Sequence, residues 1–115
     1  MYILSNQKGD YNMKYFIIEG TSKTHTLVDK DTLDKALQEH LDFLQKGYDS
    51  GYILVAGPKA DSGGGIIIMK AMDLEEIERF ISNDPLYLAD VQEYRIVEFN
   101  VHDCQSMVNG WFKSE

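Results

Sequence analysis

The sequence predicts an α+β fold in the order strand, helix, strand, strand, helix, strand. Three observations carry this. Two segments repeat their apolar residues at the helical period, four others are rich in β-branched and aromatic residues, and each helical segment stands between two of the strands. A chain of 115 residues with 43% hydrophobic content suits one compact domain, because dividing it would leave two cores too small to hold together. A helix between two strands favours a right-handed crossover. Two such units joined by a hairpin give a four-stranded antiparallel sheet with both helices on one face, the ferredoxin-like βαββαβ arrangement. That leaves the other sheet face bare, and a second copy of the chain is the economical cover, so a homodimer is expected.

The elements follow in order. Residues 1–12 lack a sustained period and read as an N-terminal arm, packed on a partner subunit or preceding a second candidate start at Met13. Met13 to Gly20 is a strand that stops at glycine. The polar linker from Thr21 to Lys30 holds His25, read as a solvated loop histidine. Asp31 or Thr32 is expected to cap the first helix, which runs to about Lys46 before Gly47 ends it and Gly51 makes a second break. Tyr52 to Gly57 is an apolar run, as expected of a strand covered on both faces. After the glycine-rich turn from Pro58 to Gly65, Ile66 to Ala71 completes a hairpin. Asp73 caps the second helix in a capping box with Glu76, and Leu74, Ile77, Phe80 and Ile81 form its buried stripe. Pro85 ends that helix, and Asp84-Pro85-Leu86-Tyr87 opens a short turn or helix. Glu93 to Val101 is the last strand. The domain is therefore read as residues 13–101, with a tail of residues 102–115 whose Met107, Val108, Trp111 and Phe112 call for docking on this subunit or a neighbour.

A formal charge of -8, from 19 acidic against 11 basic residues, repels phosphate backbones and anionic lipid, so nucleic acid and membranes are not expected partners. The single cysteine, Cys104, has no internal disulfide partner, and nothing reads as a signal peptide or a bilayer span. The expected location is the cytoplasm. Cys104 and His102 lie beyond the last strand and are read as structural.

The first helix carries the informative exception. Leu33, Ala36, Leu37, Leu41 and Leu44 form one apolar stripe at 100° per residue, and His40 falls inside it. Burying an imidazole without a partner costs about 1–3 kcal/mol, so a residue distant in sequence must reach it.

His40-Leu41, Gly51 followed by Ala56-Gly57-Pro58, Asp61 with glycines after it, and Asp84-Pro85 behind the second helix resemble, in order and spacing, the YciI-like (YCII-related) family of the dimeric α+β barrel superfamily. The resemblance covers roughly Met13 to Val101. It implies a dimer with sheets packed face to face and a pocket in each subunit holding a histidine–aspartate dyad. The roles fall to His40 and Asp84, with Asp61 and the Gly57-Pro58 turn lining the pocket. Some relatives act on small cyclic or aromatic molecules by elimination or isomerisation without a cofactor. Three positions depart from the pattern: Leu37 stands where relatives often carry arginine, Leu86 where they carry an aromatic, and Asp90 where a glycine is common.

In chemical terms, a carboxylate on one imidazole nitrogen fixes the tautomer and leaves the other nitrogen to shuttle protons. Asp84 is also a natural helix cap ahead of Pro85, and His40 a natural core histidine, so both readings stand at this stage. Asp61 is a turn former or a second pocket carboxylate. Tyr87, beside Asp84-Pro85, is placed at the pocket rim. No metal or cofactor is expected, since the histidines lack ligand spacing and the glycines fit no phosphate-loop pattern. Two functions follow: a cofactor-independent lyase or isomerase acting on a small cyclic or aromatic molecule, or a non-catalytic module that binds a small molecule or anion or serves dimer assembly.

Overall fold

A computed structural model describes residues 13–24 and 27–112. The expectations for the N-terminal arm and for His25 lie outside them. The chain runs β1 (Lys14–Ser22), α1 (Lys30–Asp49), β2 (Ile53–Pro58), β3 (Gly64–Ala71), α2 (Leu74–Ser82), α3 (Pro85–Leu88) and β4 (Gln92–Phe99). A 3-10 turn (Ser106–Val108) and α4 (Asn109–Phe112) complete the described tail. The sheet order is β2-β3-β1-β4 with every neighbouring pair antiparallel. This is the ferredoxin-like topology that the order of elements predicts.

Alternation along the strands sorts the two faces. Phe16, Ile18 and Gly20 of β1 pair with Met69, Ile67 and Gly65 of β3, and the apolar members of this set are buried beneath the helices. Leu44 of α1 and Ile77 and Ile81 of α2 join them in one core, with Phe43 and Phe80 stacked at 4.5 Å between ring centres. Tyr15, Ile17, Ile66, Ile68, Val97 and Phe99 alternate onto the opposite face. β2 is buried on one side only, since Ile53 is covered and Val55 half exposed. The expectation of cover on both faces does not hold within this chain.

Several boundaries move for local reasons. The cap of α1 is Asp29, whose carboxylate accepts from Thr32 N at 2.8 Å; Asp31 and Thr32 are already helical. Gly47 does not end α1. It lies inside the helix where a Cβ would stand 2.3 Å from Ile53 Cδ1, so glycine lets α1 press on β2, and Gly51 at φ +84° makes the stop. Gly20 does not end β1 either, which continues to Ser22. Asp73 caps α2 by accepting from Glu76 N at 2.9 Å, while the Glu76 carboxylate accepts from Met72 N at 2.7 Å, one residue before the cap. Leu74, placed in the buried stripe, is half exposed. Asp90 takes the left-handed conformation at φ +61° just after α3, one that aspartate tolerates. Lys23 bonds its carboxylate.

The tail docks on its own sheet. The Trp111 indole donates to Gly51 O at 2.8 Å, Lys70 Nζ donates to Trp111 O at 2.8 Å, and Tyr15 stacks on both Trp111 and Phe112. Among the described residues no helix is long and apolar enough to cross a membrane.

Candidate functional site

The site is built at the end of the sheet where core packing stops. Asp84 leaves α2 in extended conformation at φ -69°, ψ 126°, the geometry that the following proline imposes, and its carboxylate turns back to cap α3. Oδ1 accepts from Leu86 N at 2.9 Å. The same oxygen lies 2.8 Å from His40 Nδ1, and Oδ2 accepts from the Tyr94 hydroxyl. The helix cap and the partner of the histidine are therefore one carboxylate. Asp84 is 1% exposed, and three donors satisfy it.

His40 reaches this carboxylate from the middle of α1, two turns before Gly47 brings the helix close to the sheet. Its side chain is 15% exposed and forms part of a cavity wall. In the neutral tautomer with Nδ1 donating to Asp84, the free lone pair is that of Nε2, for which the described residues provide no hydrogen-bond partner. The leucine stripe divides around it. Ala36 and Leu44 are buried in the core, Leu44 also reaching the cavity wall, whereas Leu37 and Leu41, 44% and 58% exposed, only line the cavity.

The cavity measures about 520 Å³, within the range of small-molecule sites. Its apolar wall comes from α1, Ala56, Ile66, Ile67 and Leu86, and its polar groups from Ser22, His40, Gln45, Tyr48, Ser62, Gln92 and Tyr94. Gly57, Pro58, Gly64 and Gly65 contribute near-bare backbone. Gly64 has φ +137°, and a Cβ there would stand 2.0 Å from Gly20 O, so only glycine fits.

Of the six residues singled out from sequence, His40 and Asp84 meet, and Gly57 and Pro58 line the cavity. Asp61 does not. Its carboxylate accepts from Gly63 N at 2.8 Å within its own turn, the local role open to any Asp before glycines. Tyr87 is also absent from the cavity wall; its ring lies 6.4 Å from that of Tyr94 and is half exposed. The sequence reading assigned Gln92 and Tyr94 no site role. Gln92 Nε2 donates to the Tyr94 hydroxyl oxygen at 2.9 Å, and burial, then the Asp84 carboxylate, push the Tyr94 phenol well above its ordinary range. A Cβ on Gly20 would stand 2.6 Å from Gln92 Nε2 and 2.9 Å from the Tyr94 ring, so Gly20 is the clearance that admits the pair. The available signal was a polar–x–aromatic step on the inward face of the last strand, at its start beyond α3.

Fold and site together define a ferredoxin-like α+β domain in which a histidine in a cavity wall is paired with a buried carboxylate. The chain belongs to the YCII-related domain family, which matches it over residues 13–100. None of the curated proteins matches it. Among solved structures it is similar to the 5-chloro-2-hydroxyhydroquinone dehydrochlorinase TftG of Burkholderia phenoliruptrix AC1100, in complex with 2,5-dihydroxybenzoquinone. That similarity has a TM-score of 0.61 at 22% identity and covers 75% of this chain and 93% of the other. SnoaB, a cofactor-independent oxygenase from Streptomyces nogalater, gives a TM-score of 0.46 at 9% identity over 83% and 98% of the two chains. The likeness to TftG is one of fold.

Proposed function

We propose that the protein is a cofactor-independent acid–base enzyme of lyase or isomerase type acting on a small cyclic or aromatic molecule. The observation that carries this is the His40 ring in the cavity wall, with Nδ1 held 2.8 Å from a carboxylate that is 1% exposed. Asp84 orients the ring and keeps the proton on Nδ1; Nε2 takes a proton from a ligand carbon next to a carbonyl or hydroxyl and returns it to the leaving group or to a neighbouring carbon. Gly57 and Pro58 line the site. The same fold houses a dehydrochlorinase in TftG, which supports a small oxygenated ring as ligand. A homodimer closed over the open sheet face, in the cytoplasm, completes the reading, with residues 13–101 as the working domain.

The test is turnover. Hydroxylated and chlorinated hydroquinones incubated with the wild-type protein should yield an elimination or isomerisation product by mass spectrometry. His40→Ala and Asp84→Asn should slow it by about 100-fold or more, the usual worth of a positioned acid–base group. Full activity in both variants overturns the proposal.

A second reading, a non-catalytic binding or assembly module, is favoured by the occupation of Asp84, whose oxygens serve α3 and Tyr94 as well as His40. It expects the same variants to lose ligand affinity or dimer stability, with no product from any compound.

A further inference from the structure

The donors around Asp84 determine which way round the Gln92 amide is held. Asp84 is acceptor to Leu86 N, His40 Nδ1 and the Tyr94 hydroxyl. The only proton of that hydroxyl is therefore committed, and its oxygen has acceptor capacity alone. Gln92, 2.9 Å away, must face it with the NH₂ end, which leaves the carbonyl Oε1 as the other end of the amide. Gln92 is 7% exposed and lines the cavity, yet no donor among the described residues bonds Oε1. A buried acceptor in that position costs about 1–3 kcal/mol unless something donates to it. No lysine or arginine lines the cavity, so an anionic ligand group finds no fixed cation among its lining residues.

We propose that Gln92 Oε1 accepts a hydrogen bond from a ligand hydroxyl, making Gln92 the residue by which the cavity selects a neutral hydroxylated ring over its ether or its carboxylate. This rests on the reading that the cavity takes a small ring molecule, but not on turnover. Tyr94 is the positioning residue, because its committed proton prevents the amide from turning over. A site built to bond a hydroxyl rejects the analogue lacking it, since the acceptor is then left unpaired.

Titration calorimetry with hydroquinone, 1,4-dimethoxybenzene and benzoate tests this without a known substrate. Wild-type protein should bind hydroquinone about tenfold or more tightly than the diether, corresponding to about 1.4 kcal/mol, and benzoate more weakly still. Gln92→Met, close in shape but without the acceptor, should reduce the preference to about threefold or less. Tyr94→Phe, which frees the amide to turn, should erode it in the same direction. Equal binding of hydroquinone and diether by the wild type, no hydroquinone binding at all, or a preference that survives in both variants overturns the proposal. Should Gln92→Met fail to fold by circular dichroism, the wild-type ratio and Tyr94→Phe decide. His40→Ala should keep the preference while losing turnover, so failure of the catalytic reading and failure of this one are separately visible.

Discussion

The two ends of the helix-covered sheet face are built on different principles. At one end Phe16, Ile18, Met69, Ile77 and Ile81 interlock in a dry core, and at the other Ala36, Leu86 and Val91 form a small cluster beside buried Asp84 and Gln92. Shape holds the first end and satisfied hydrogen bonds hold the second. The cavity beside His40 opens at the second end, where packing stops and polar groups fix the walls in its place. Damage to the packed end should therefore be global and silent on ligand, whereas damage to the polar end should reach the ligand first.

The largest effect expected from breaking that contrast is Ile77→Ala in the fully buried core. It should cost about 2–5 kcal/mol in chemical denaturation and leave the hydroquinone affinity of the folded protein unchanged. Altered affinity at full folding would show that the two ends are coupled. Asp84→Ala comes next. Removing the carboxylate takes the acceptor from Leu86 N, His40 Nδ1 and the Tyr94 hydroxyl proton, so about 1–3 kcal/mol should be lost together with ligand binding. A loss of stability with binding intact would make Asp84 a helix cap only. The smallest effect is on pH. Tyr94 holds its proton more tightly when folded, so its contribution is intact below pH 10.0, the ordinary tyrosine value, and is lost as pH rises above it. Stability of the wild type should fall above that point by up to about 1 kcal/mol per pH unit more than that of Tyr94→Phe. Parallel curves for the two proteins would refute this.

Much of the fold was legible because it depends on local chemistry. Period-2 and period-3.6 patterns, the Asp73 cap and the break at Pro85 act within a few residues, and the sheet order follows from crossover handedness. Glycines misled where their reason was distant. Gly47 and Gly20 read as stops by propensity, but their roles are clearance for Ile53 and for Gln92 with Tyr94, contacts that no local window contains. The site was legible in part for the same reason. His40 stood out as a polar residue in an apolar stripe, whereas its partner, 44 residues on, came only from family resemblance. Asp61 was placed by family resemblance and Tyr87 by its position beside Asp84-Pro85, and neither says which way a loop side chain faces.

The sequence by itself determined the order of elements, the inward-facing histidine and the turn at Asp84-Pro85, since periodicity and backbone restriction are properties of short segments. Only the tertiary structure decided that one carboxylate both caps a helix and holds the histidine, that a tyrosine and a glutamine complete its shell, and that the leucines beside His40 face a cavity instead of a core. Burial and hydrogen-bond direction belong to segments brought together from across the chain, and they are settled only when the sheet and helices close on one another.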